Sequence, residues 1–135
     1  MKVILDCNIW VSFLIGHHLS SMREILTSKS AEVYCCPQLI AEVVDVTNRD
    51  KIRRYVTDTE KDDLLCIIQA YCHNIELTHE AQSAIRDPKD LYLLSLAEAI
   101  QADFIVSGDS DLLVLGQHKS TRLIKLSEFT NLILG

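Results

Sequence analysis

Apolar residues in this chain alternate between short continuous runs and longer stretches with helical spacing. Val3-Ile4-Leu5, entered through Lys2, is too short for a helix and reads as a strand buried on both faces, as in the middle of a parallel sheet. Val33-Tyr34-Cys35, Ile75-Glu76-Leu77, Phe104-Ile105-Val106 and residues 121–125 are predicted as the second to fifth strands. Helical patterns fill the intervals. Ile9, Trp10, Phe13 and Leu14 mark a helix ending near Gly16, and a second over residues 20–28 carries Met22, Ile25 and Leu26. Pro37 suits a first helical position, and Leu39, Ile40, Val43, Val44 and Thr47 form the predicted buried stripe, with Glu42 at its border. Thr57 and Glu60 have capping-box spacing ahead of a helix over 64–71, and residues 128–134 close the chain as a helix. Strands that alternate with helices predict one α/β domain over residues 1–135, a central parallel five-stranded sheet with right-handed crossovers.

The stretch from Arg86 to Asp111 carries the most information. Asp87 before Pro88 is a predicted cap, and Leu93, Leu94, Leu96, Ala97 and Ile100 keep helical period until Ala102-Asp103 breaks it. A short strand and the loop Ser107-Gly108-Asp109-Ser110-Asp111 follow. In such a unit the start of the helix lies beside the end of the strand, so Asp90 and Asp109 share the sheet edge where α/β proteins bind ligands. Asp6, directly after the first strand, and Glu42, early in the helix after the second, fall on that edge too. Singly, Asp90 could complement a helix dipole, Glu42 could be a solvated flank, and Asp109 and Asp111 could belong to an ordinary turn. Asp6 has no cap or turn role evident in the sequence. Together, four acids read as lacking a nearby Lys or Arg repel one another and raise each other's pKa values. Mg²⁺, a hard ion that takes carboxylates and waters, relieves that conflict, and such ions can activate water for an in-line phosphoryl displacement.

Composition narrows the rest. A length of 135 residues with 48% hydrophobic and 24% charged content is ordinary for one globular domain. The formal net charge of −6 argues against nucleic-acid binding by bulk electrostatics, but not against an acidic metal site flanked by a local basic patch. Arg49, Lys51, Arg53, Arg54 and Arg86 are the candidate phosphate contacts, although such a run is also an ordinary solvated face. Cys7, Cys35, Cys36, Cys66 and Cys72 include no CxxC pair and read as reduced, small core residues rather than a zinc site or disulfide framework. Four glycines outside any phosphate-loop pattern exclude dinucleotide and P-loop sites. His17-His18 lacks partners at ligand spacing and is placed on the surface. No run approaches a membrane span or signal sequence, so the expected location is cytoplasmic.

Asp6-x-Asn8, Glu42, Arg86-Asp87-Pro88-Lys89-Asp90 and the stretch from Ala102 to Leu113 resemble the PIN domain family. Within it, they resemble the compact single-domain, VapC-like toxin components of toxin–antitoxin modules. The resemblance covers nearly the whole chain. It implies a Mg²⁺- or Mn²⁺-dependent ribonuclease with Asp6, Glu42, Asp90 and Asp109 as the metal-holding catalytic acids and Asn8, Ser107 and Asp111 in support. It also implies a homodimer and, often, a small protein antitoxin. Two positions depart from the family pattern. Cys7 stands where Thr or Ser is usual, and Leu91 where Asp or Asn is common, which bears on a two-metal site.

The expected function is a cytoplasmic, metal-dependent endoribonuclease in which Glu42 or Asp109 helps take a proton. One rival is aspartyl-phosphate chemistry with Asp6 as nucleophile. Asn8 stands where that chemistry usually has a second acid, and the Phe104–Val106 run leads to Ser-Gly-Asp rather than Lys. The other rival is a catalytically inactive PIN-fold binding module.

Overall fold

The computed structural model describes residues 1–83, 85 and 87–134. β1 (Lys2–Leu5) leads into α1 (Cys7–Ile15) and α2 (Leu19–Thr27). β2 (Glu32–Cys35), α3 (Pro37–Thr47), the single turn α4 (Asp50–Arg53) and α5 (Asp58–Tyr71) come next. Beyond β3 (His73–Asn74), the long helix α6 (Pro88–Ile100) precedes β4 (Phe104–Val106). The chain closes with α7 (Ser110–Leu113), β5 (Gln117–His118), β6 (Thr121–Ile124) and α8 (Leu126–Leu134).

The strand order is β3-β2-β1-β4-β6-β5, parallel throughout except for the β5–β6 hairpin. The chain builds outward from β1 through β2 and β3, then returns to β1's other side with β4. The switch point therefore lies between β1 and β4, where Leu5 stands opposite Val106. Each next residue, Asp6 and Ser107, leaves the sheet there.

Central strands are apolar because both faces are covered: Val3, Ile4, Leu5, Ile105 and Val106 are all buried. α6 buries Leu93, Leu94, Ser95, Leu96 and Ala97 consecutively, which makes it a core helix rather than an amphipathic surface one. Its entry is fixed as expected, with Asp87 accepting from the Lys89 N–H at 3.0 Å. It ends where Gln101 takes a left-handed conformation. Asp103 then accepts from the Lys2 N–H at 2.8 Å, which aligns the starts of β1 and β4. The Thr57–Glu60 capping box is present. No helix among the described residues is long and apolar enough to cross a membrane.

Several expectations require correction. Among the described residues the sheet has six strands, not five, because the polar pair Gln117-His118 folds back on β6. The third strand is His73–Asn74 and not 75–77. Its ladder partner β2 stops at Cys35, and Cys36 already begins the turn into α3, so Ile75 and Leu77 pack on the core as loop residues. On α3, Leu39, Val43 and Thr47 are buried and Ile40 is half-buried, but Val44 is exposed; Val46 takes its place against the core. Helix α5 begins at Asp58, six residues before the expected apolar start, because its first turns are stabilised by the cap rather than by burial. Cys7, Cys35 and Cys36 are core residues as expected and Cys72 is half-buried, whereas Cys66 is exposed.

Candidate active site

Asp6 has the cap role that its sequence context concealed: it is the N-cap of α1, with Oδ1 accepting from the Cys7 N–H at 2.7 Å. Its Oδ2 accepts from Ser107 Oγ at 2.6 Å and from Asn8 Nδ2 at 3.1 Å. Asn8 Oδ1 accepts in turn from the Gly108 N–H at 3.1 Å. Ser107 Oγ also accepts from the Asp109 N–H at 3.0 Å. One polar network thus closes the gap between the ends of β1 and β4, and it is why a carboxylate only 6% exposed is tolerated there. Burial still pushes the Asp6 carboxyl above the usual range against these hydrogen bonds, with the nearby Asp109 adding to the effect.

Asp109 caps α7, with Oδ1 accepting from the Asp111 N–H at 3.0 Å. Asp111 contributes that amide, while its own carboxylate is exposed and outside the cleft. Asp90 lies in the first turn of α6 and is pushed up to about 6, by burial first and then by Asp109, Asp87, Asp6 and Glu42. Glu42 reaches in from α3 with Oε2 accepting from the Tyr92 hydroxyl at 2.9 Å. Burial raises its pKa, and Asp6 and Asp87 add to this; Tyr92 and Lys89 oppose them.

The four acids predicted from the sequence therefore line one cleft of about 350 Å³, joined by Asp87. Cys7, Asn8 and the apolar Val11, Ile15 and Val46 form much of the remaining wall. Burial and the charge of Glu42 push the Cys7 thiol up to about 12, so it stays neutral and fills space. Two cations, Arg49 and Lys89, also line the cleft, which corrects the expectation of acids without basic neighbours. Arg49 pairs with Asp45 at 3.1 Å. Lys51, Arg53 and Arg54 are exposed on and just after α4 and are not cleft residues. Arg86 lies outside the described residues.

Sequence reasoning missed Lys89, Asp87 as a wall residue, and Tyr92. Lys89 was findable, since it sits directly before Asp90 in the first turn of a helix already placed at this edge. Nothing marks Tyr92 in the sequence as other than a core aromatic. Leu91 faces a different cavity, with Gln38, Leu77 and Ser95, so its departure from the family pattern removes no cleft-wall carboxylate.

Among the described residues, no three His, Cys, Asp or Glu side chains already converge closely enough to hold one metal ion. The reason is visible: Asp6, Asp109 and Glu42 each have oxygens turned to protein donors. The donor set nevertheless suits a hard divalent cation, because it consists of carboxylates that raise one another's pKa values in a partly desolvated cleft.

A family model for the PIN domain matches residues 2–111. No curated protein matches the sequence. Among solved structures, the fold is similar to the crystal structure of VapBC2 from Rickettsia felis bound to a DNA fragment from their promoter. That match has a TM-score of 0.60 at 17% identity and covers 93% of this chain and 98% of that one. At such identity the likeness concerns the fold. The family model spans most of the chain, from β1 through the acidic loop after β4, and the protein belongs to the PIN domain family.

Proposed function

We propose that the protein is a divalent-metal-dependent endoribonuclease and the toxin of a toxin–antitoxin pair. The observation that carries this reading is the convergence of Asp6, Glu42, Asp90 and Asp109 on one cleft at the sheet's switch point. These four would hold Mg²⁺ or Mn²⁺, with Asn8 and Ser107 orienting Asp6. When bound, the ion supplies neutralisation of the carboxylates, activation of water and offset of charge on the cleaved phosphate.

The chain's own residues do the rest. Lys89 and Arg49 line the cleft wall, where they would contact flanking phosphates and give a strongly acidic chain a local means of binding RNA. One acid, Glu42 or Asp109, is proposed to take a proton from the attacking water. Cys7 closes the floor without taking part. Asp6 is poorly suited to act as a nucleophile, since both its oxygens accept hydrogen bonds from groups at the start of α1 and the end of β4.

An antitoxin partner is supported by the likeness to VapBC2, itself solved with promoter DNA. The small protein partner would cover or block the acidic cleft. A homodimer and a cytoplasmic setting complete the proposal.

Purified protein is expected to cleave RNA with Mg²⁺ or Mn²⁺ and not in a chelator. Asp90→Asn is expected to abolish cleavage. Equal cleavage with and without metal, or by the variant, contradicts the reading.

A further inference from the structure

We propose that Tyr92 is a positioning residue for Glu42, its phenol holding one carboxylate oxygen at the cleft wall so that the other faces the ion and the RNA. This inference rests on the metal-dependent reading above. The four acids are not anchored alike. Asp6 accepts from three donors at the ends of β1 and β4, and Asp109 accepts from the backbone at the start of α7. Asp90 is short and stands in the first turn of α6. Glu42 is different: it has the longest side chain of the four, it stands within α3 away from either end, and among the described residues it has no backbone partner. Among the described residues its side chain has one hydrogen bond, from the Tyr92 hydroxyl 50 positions away at 2.9 Å.

Tyr92 is suited to this task. A carboxylate is acceptor-only when ionised, so the phenol donates and the direction of the bond is fixed. The ring is half-buried, packs on the core, and forms part of the wall of a separate cavity of about 620 Å³ that includes Gln38, Leu77 and His79. Core packing on α6 is thereby coupled to the placement of a carboxylate on α3. The bond leaves Oε1 of Glu42 without a hydrogen-bond partner among the described residues, and this is the oxygen left for an ion.

The test compares Tyr92→Phe with the parent by calorimetric Mn²⁺ titration and by RNA cleavage kinetics. The substitution keeps the ring and its packing. Outer-shell hydrogen bonds to ligating carboxylates typically change metal affinity or activity about 10–100-fold. Mn²⁺ affinity is expected to fall in that range and kcat by a similar factor, with KM unchanged. Glu42→Asp, which draws the carboxylate back from the phenol, is expected to lose comparable affinity and to become insensitive to Tyr92→Phe. Unchanged Mn²⁺ affinity in Tyr92→Phe, with a parent that binds, overturns the inference alone. So does an equal loss on adding Tyr92→Phe to the Glu42→Asp background, because Tyr92 would then act through packing. A parent that binds no Mn²⁺ overturns the metal reading and this inference with it.

Discussion

Ser107 Oγ donates to Asp6 Oδ2 at 2.6 Å across 101 positions of sequence, joining the ends of two neighbouring parallel strands. Both residues are buried, and the same hydroxyl accepts from the Asp109 N–H. Ser107→Ala should therefore cost about 1–3 kcal/mol, as loss of a buried partner does. Denaturant unfolding with an unchanged slope measures it. A cost below about 0.5 kcal/mol, the range of an ordinary surface change, would mean that the network does not hold the strand ends together.

Asp87 and Asp90 should separate as cap and ligand. Asp87→Ala removes a bond to the Lys89 N–H, worth about 0.5–2 kcal/mol at a cap. Some of that cost is offset, since Asp87 also contributes to the repulsion that raises Asp90. Metal-free Asp90→Asn, by contrast, should melt at a higher temperature than the parent at pH 7, because it removes a charge that four neighbouring acids disfavour. The two melting curves and the two cleavage rates decide the matter: loss of activity in Asp87→Ala with retention in Asp90→Asn would reverse the assignment.

Glu98 gives a pH signature away from the cleft. It meets Lys119 Nζ at 2.8 Å, His118 Nε2 at 2.7 Å and His79 Nε2 at 3.5 Å. Lys119 first, then His118, hold its carboxyl down to about 2. A depressed carboxyl contributes stability that is fully present above its unfolded value, near 4.5, and is lost as pH falls from there toward 2. The stability gap between the parent and Glu98→Gln should thus be larger at pH 6 than at pH 3. A gap that is constant with pH would show that the cluster contributes no linked stability.

The cleft-wall cations should govern RNA binding. Each phosphate contact on a single strand contributes about 0.7 to the slope of log affinity against log salt. Removing two, in Lys89→Ala with Arg49→Ala, should flatten that slope by about 1.4. Arg53→Ala with Arg54→Ala should change it less, because neither residue lines the cleft. The opposite ranking would move the RNA path onto the face of α4.

The sequence made most of this site legible because topology alone brings strand ends and helix starts to one edge. Asp6, Asp90 and Asp109 could be placed from an apolar run and a Pro-marked helix start without any knowledge of contacts. What escaped were features that depend on three-dimensional neighbours. The phenol of Tyr92 meets Glu42 only through α3–α6 packing, and Lys89 lines the cleft only because the first turn of α6 faces it. Ile75-Glu76-Leu77 has strand alternation, yet a strand also needs a partner, and β2 ends at Cys35, whose carbonyl takes the Ile75 N–H and leaves nothing for Glu76 and Leu77 to pair with. Gln117-His118 lacks that alternation and pairs all the same, because the tight return to β6 supplies its neighbour.

The most direct measurement of the central claim, that these acids form a divalent-metal site, is thermal unfolding with and without Mn²⁺, free of any substrate. An ion that binds only the folded arrangement stabilises by about 2.7 kcal/mol at a hundredfold excess over Kd. The parent should gain stability on adding Mn²⁺, whereas Asp6→Asn and Asp109→Asn should gain far less. Equal shifts in all three proteins would contradict the account.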